Sequence, residues 1–248
     1  MGRAFEYRKA TKLKRWGNMA RTFTRLGKQI SIAVKEGGGD PDTNPKLRAT
    51  IATAKRENMP KDNIERAIKN ALGKNQKDYK EMNYEGYGPH GIAIFVETAT
   101  DNTTRTVANV RAVFNKNGGT LGQTGNVDFM FKHMALFTIE KKEGVDMDEL
   151  ILELIDFGIE EEYDDEGDEV TIYGEFSSFN KIQHWLEDNG FEIKSSEFTR
   201  IPLNETNLTG DERAEVEKLI EKLEEDEDVQ NVYSTLKPFI PEDIEENE

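Results

Sequence analysis

The sequence predicts an α+β, multidomain protein: an N-terminal three-helix bundle plus two ferredoxin-like βαββαβ domains, the second inserted into the first. Three observations predict it. Apolar residues recur at helical spacing up to about residue 73 and then give way to alternating strand and helix patterns. Residues 133–201 hold a whole βαββαβ set, whereas the set begun near residue 91 lacks a helix and a strand until residues 209–233 supply them. Charge changes sign near the same place: residues 1–80 carry 20 Lys+Arg against 8 Asp+Glu, and residues 81–248 carry 13 against 41, a net of +12 beside −28. The expected divisions are a basic helical domain over 1–80, a discontinuous α+β domain over 81–132 plus 202–236, an inserted α+β domain over 133–201, and an acidic tail over 237–248.

Each element follows from local pattern. From Gly17 to Glu36, Met19, Phe23, Leu26, Ile30, Ala33 and Val34 recur at helical spacing, and the run stops at Gly37, Gly38 and Gly39. At about 100° per residue, Arg21, Arg25, Lys28 and Lys35 share an arc opposite that stripe, with Ile32 alone out of place, so a basic ridge is expected to face away from the core. Asn44 as N-cap and Pro45 as first helical residue open a second helix with Leu47, Ile51 and Ala54 inward and Arg48 and Lys55 outward. A third begins near Pro60, turns Ile64, Ile68, Ala71 and Leu72 inward, and ends at Gly73.

In the acidic body, the apolar run 91–98 predicts a buried strand, with YEGYGP as its flanking turn. A helix from Asn102 places Val107, Val110 and Phe114 inward, and the alternation of Val127, Phe129 and Phe131 predicts a further strand. The pattern restarts with a strand at 134–140, a helix opened by Asp146 and Glu149, strands near 159–163 and 169–175, a helix from Ser178 to Gly190, and a strand at 191–199. Thr209 and Glu212 read as a capping box before the last helix, and Val229 to Tyr233 as the last strand.

Composition excludes several function classes. With no cysteine there is no disulfide framework, thiolate zinc site or Cys nucleophile. The start lacks the apolar segment of a secretory signal, and no run reaches the roughly 18 apolar residues of a membrane span, so a cytosolic or organelle-matrix protein with no membrane partner is expected. His90, His133 and His184 stand in separate elements at no metal spacing and read as surface or loop residues. The acidic stretch from Glu162 fails as a calcium loop, because it opens on Glu and has Tyr173 where a bidentate Glu is needed. The triple glycine lacks the Lys-Ser/Thr of a phosphate-binding loop. No catalytic constellation, metal site or cofactor is therefore predicted, and the chain is not expected to be an enzyme.

What remains is the basic end. Arg3, Arg8, Lys9, Lys12, Lys14, Arg15, Arg21, Arg25, Lys28 and Lys35, with Phe5, Tyr7 and Trp16 among them, suit phosphate contact with stacking on bases or sugars. Arg48 and Lys55 extend the set. These twelve cations are the candidate nucleic-acid-binding residues.

The strings GGGDPDTNPKLRATIATAKRENMPKDNIERAIKNALG and YEGYGPHGIAIFVETATDNTTRTVANVRAVFNKNGGTLGQTGNVDFMF closely resemble the YebC family of probable transcriptional regulatory proteins. The resemblance covers residues 1 to about 236; the chain departs from the Gly-His-Ser-Lys-Trp opening common in the family. It implies three domains, a cytoplasmic setting, DNA binding and no enzymatic activity. Mitochondrial relatives are translational activators, and bacterial ones are also linked to ribosomes on proline-rich messages. Three readings stay open: a transcriptional regulator on duplex DNA, a ribosome-associated translation factor contacting ribosomal RNA or tRNA, and an adaptor whose acidic domains bind a basic protein. The sequence leaves the oligomeric state open.

Overall fold

A computed structural model describes residues 19–73 and 78–239. Among these residues, seven α-helices and eight strands follow in the order α1 (Met19–Gly37), α2 (Pro45–Arg56), α3 (Lys61–Ala71), β1 (Lys80–Tyr87), β2 (Ala93–Thr100), α4 (Thr103–Lys116), β3 (Thr120–Leu121), β4 (Phe131–Glu140), α5 (Met147–Leu154), β5 (Ile159–Glu166), β6 (Glu169–Glu175), α6 (Phe179–Asp188), β7 (Ile193–Pro202), α7 (Gly210–Glu224) and β8 (Val229–Ser234).

The helices α1 to α3 close on Leu26, Ile30, Ala33, Val34, Leu47, Ala54, Met59, Ile64 and Ala71. Asn44 joins two of them. Its Oδ1 accepts from the Leu47 amide at 3.1 Å, capping α2, while its Nδ2 donates to the Ala33 and Gly38 carbonyls at 2.8 Å each, satisfying the end of α1. Leu72, expected inward, is exposed, since α3 ends one residue before it.

Two four-stranded antiparallel sheets make up the body. The order β5-β6-β4-β7 closes residues 131–202 into one sheet, with α5 and α6 packed on it around Phe137, Ile139, Leu154, Ile172, Ile182 and Leu186. The other sheet has the order β3-β1-β2-β8, so its last strand comes from residues 229–234, beyond the whole of the first-named sheet in sequence. Its core joins Ile92, Ile94, Val96, Val110 and Phe114 to Val216, Leu219, Leu223 and Val229.

Three local expectations are corrected. Residues 80–87 are a strand and not a turn: Tyr84 to Tyr87 pair with Val96 to Ala93, and β1 lies between β2 and β3. Gly86 is required there, because a Cβ would lie 2.6 Å from the Thr120 carbonyl and 2.9 Å from the Phe114 ring. Residues 127–131 are not a strand. Asp128–Met130 form a 3₁₀ turn and Phe131 opens β4. The reason is Glu85, a buried carboxylate that accepts from the amides of Gly125, Val127 and Asp128 at 2.7, 2.7 and 2.8 Å, leaving those amides nothing to give a ladder. Phe129 is consequently 70% exposed. Finally, Thr209 stands at the N-cap of α7 but its side chain makes no cap bond, so the capping box is not formed.

Candidate nucleic-acid interface

Of the twelve candidate cations, Arg3, Arg8, Lys9, Lys12, Lys14 and Arg15 lie outside the described residues, as do Phe5, Tyr7 and Trp16. The structure places the other six, and it does not gather them into one outward ridge.

Lys28 is the clearest correction. It is 7% exposed, and its Nζ donates to the Ala99 carbonyl at 3.0 Å, the Glu227 carbonyl at 2.7 Å and Asp228 Oδ1 at 2.8 Å. Asp228 Oδ2 in turn accepts from Arg105 at 2.7 Å, Thr106 at 2.8 Å and Thr100 at 3.1 Å. Burial alone would push the Asp228 carboxyl up, but the hydrogen bonds from Lys28, Arg105 and Thr106 outweigh it and hold the group well below the usual carboxylate range. A fully engaged ammonium of this kind is a strut between α1 and the β2/β8 edge. It has no donor left for phosphate.

Its neighbours behave alike. Arg25 reaches the Glu224 carbonyl at 3.4 Å, and Lys35 pairs with Asp78. Arg48, expected outward, donates to Glu187 on α6 at 2.9 and 2.8 Å and to the Pro41 carbonyl at 2.7 Å. Desolvation would raise the Glu187 carboxyl, yet Arg48 and Gln183 bring it below its ordinary value. Arg56, not among the candidates, pairs with Glu169 at 2.7 Å. Thr53 Oγ1 donates to the Ser196 carbonyl at 2.8 Å, which seats α2 on β7. Arg21 is half-buried, and Lys55 is exposed. Exposed Lys61, Arg66 and Lys69 on α3 add cations beyond the twelve, since the periodicity of α3 marks only its apolar face.

The helical bundle therefore straddles both sheets, with α1 against one and α2 against the other. The sheets also meet directly. Arg200 lies 3.9 Å over the Phe95 ring and donates to Glu97 at 3.1 Å and Asp128 at 2.7 Å. A cleft of about 350 Å³ remains where the three bodies converge. His133 lies on its wall, half-buried and stacked on Phe176 at 3.9 Å, and not at the surface as expected. Burial, reinforced by Arg200, lowers its pKa and keeps the imidazole neutral near pH 7. Among the described residues no group of three or more His, Asp or Glu side chains is placed to hold a metal, and no helix is long and apolar enough to cross a membrane.

Residues 3–74 match the N-terminal domain of the TACO1/YebC protein, and residues 79–236 match the second and third domain. The chain belongs to the TACO1/YebC family. A TACO1/YebC relative from Bacteroides fragilis, named a probable transcriptional regulatory protein, is 74% identical over 238 residues, covering 96% of this chain and 97% of its own. One from Parabacteroides distasonis with the same name is 64% identical over 237 residues, covering 96% and 97%. A crystal structure of a conserved hypothetical protein from Aquifex aeolicus superposes with a TM-score of 0.70 at 36% identity, covering 90% of each chain.

Proposed function

We propose that this protein is a non-catalytic, cytoplasmic regulator of gene expression that binds nucleic acid through its basic N-terminal helical domain. The observation that carries the reading is the segregation of charge, +12 over residues 1–80 against −28 over the rest. The names of its relatives, probable transcriptional regulatory proteins, support a role in transcription on duplex DNA. With Lys28 and Arg48 committed to the body, the contact falls to Arg3, Arg8, Lys9, Lys12, Lys14 and Arg15, with Arg21 and Lys55 at its margin. Arrangement as two ferredoxin-like domains, 133–201 inserted into 81–132 plus 202–236, gives that segment a rigid acidic platform that repels phosphate elsewhere.

A second reading, contact with ribosomal RNA or tRNA in translation, is favoured by one observation. Both α1 and α2 are laid against the sheets, so neither is free to enter a major groove as a recognition helix. Phosphate contact without base reading would suffice on structured RNA.

The test uses the full chain. Affinity for a duplex and for a ribosomal RNA fragment is measured from low to moderate salt, beside co-sedimentation with ribosomes at the same salt. Log affinity should fall steeply with log salt, and exchanging the six cations between Arg3 and Arg15 for Glu should abolish binding. Salt-insensitive binding, or binding unchanged by those exchanges, would overturn the proposal; the preferred target separates the two readings.

A further inference from the structure

Two residues that line the cleft between the bundle and the two sheets carry buried polar atoms that the protein itself leaves unused. Gln230, on β8 at the irregularity opposite Glu97 and Thr98, is 5% exposed and lines the cleft, yet neither its Oε1 nor its Nε2 has a hydrogen-bond partner. Ser196, on β7 across the cleft, is 8% exposed and its Oγ is likewise unpartnered, although its backbone is bonded to Thr53. Leaving a buried amide unbonded is costly, so these groups are expected to meet a ligand that bonds to them.

The remaining lining says what kind of ligand. Phe176 and His133 are stacked, Phe198 meets both edge-on at 4.9 and 6.0 Å, and His133 is neutral, so one wall is aromatic and uncharged. Among the residues that line the cleft, Glu57, Glu81, Glu97 and Glu197 outnumber Arg25, Lys46 and Arg200, which disfavours phosphate inside. The volume of about 350 Å³ falls at the lower end of the range of about 300–1,000 Å³ found for small-molecule sites. A flat, neutral group with adjacent donors and acceptors on its edge fits all three features, and a nucleobase is such a group: the Gln amide matches a base edge in bidentate fashion, and aromatic rings take its face.

We propose that this cleft is a nucleobase pocket, holding a single base against the Phe176, His133 and Phe198 wall with its edge read by Gln230 and Ser196. The base comes either from a strand bound at the N-terminal domain, with its phosphates kept outside the acidic rim, or from a free nucleoside; the first source rests on the proposed nucleic-acid binding.

Saturation-transfer NMR of the full chain with each of the four common nucleosides, and with the matching 5′-triphosphates, tests the pocket. Transfer to base protons is expected for at least one nucleoside and more weakly for its triphosphate. Gln230→Leu, which keeps the size and removes both amide atoms, should reduce nucleoside affinity at least roughly tenfold. The same variant should melt no lower than the parent, because no protein hydrogen bond is lost. Ser196→Ala provides an independent loss should Gln230→Leu misfold. No transfer from any nucleoside, or transfer unchanged in both variants, overturns the pocket. An oligonucleotide carrying 2-aminopurine separates the sources. A fluorescence change that Gln230→Leu removes, with salt-dependent affinity retained, assigns the base to the bound strand. Oligonucleotide binding with silent 2-aminopurine, alongside nucleoside transfer, assigns the pocket to free nucleosides. Nucleoside transfer without any oligonucleotide binding leaves the pocket standing and the nucleic-acid reading overturned.

Discussion

Lys28 shows how a side chain's neighbours decide its role. Its charge is solvated in the unfolded chain and buried in the folded one, and the transfer is tolerated because two carbonyls and Asp228 occupy all three of its donors. Lys28→Met should therefore cost about 3–5 kcal/mol in denaturant unfolding, as for one partner removed from a buried pair. It should leave the salt slope of nucleic-acid binding unchanged. The pH dependence has a definite sign. Asp228 titrates lower in the folded state than its ordinary 3.8, so its contribution is fully present above that value and is lost as pH falls through the depressed one. In Lys28→Met the depression shrinks, and the acid limb of the stability profile below about pH 4 should flatten. An acid limb identical to the parent's would show that Lys28 does not hold Asp228 ionised.

At the scale of elements, α1 has two buried faces. The apolar stripe builds the bundle, and the cationic face, with Ile32 buried in its middle, packs on the body. Ile32 was the available signal: an apolar residue inside a basic arc marks a face that is covered. The α1–α2 connection rests on Asn44, whose three hydrogen bonds satisfy one helix end and cap the next, and whose amide fills the space a Cβ at Gly37 would need. Asn44→Ala should cost about 2 kcal/mol. Amide exchange should quicken at both the C-terminal turn of α1 and the N-terminal turn of α2, where a simple cap loss would affect α2 alone.

For the whole molecule, the sheet order makes a statement about cutting the chain. Residues 131–202 hold every strand of one sheet and the core beneath α5 and α6, so that stretch expressed alone should melt cooperatively. A fragment over 81–202 lacks α7 and β8, which strips Ile92, Ile94, Val96 and Phe114 of Val216, Leu219, Leu223 and Val229. It should aggregate or melt early, with those of its 93–100 amides that face β8 left unprotected. Phe95 and Val127 should lose only the cover of Tyr233, since Ala93 and Phe131 pack with them on the other side of that sheet. Full protection of 93–100 in a soluble 81–202 fragment would refute the proposed insertion.

Periodicity and capping chemistry are local, and they were enough to set the three bundle helices, the N-cap at Asn44, the strands and helices over 131–202, and the late helix and strand at 210–234. Composition was enough to make the first 80 residues cationic and the rest anionic. Three other features were decided by contacts between residues far apart in sequence. Glu85 gathers amides some 40 residues later into a turn, overriding the alternation of Val127, Phe129 and Phe131. β1 is a strand because β2 and β3 flank it on both sides, although its own residues include the turn-favouring Asn83 and Gly86. The fate of Arg25, Lys28 and Arg48 depended on a carboxylate or carbonyl some 140 to 200 residues away standing opposite each, as Glu187 does for Arg48 and Asp228 for Lys28. A local pattern fixes which side of a helix is charged; whether that side meets water, nucleic acid or its own chain is settled only when distant segments pack.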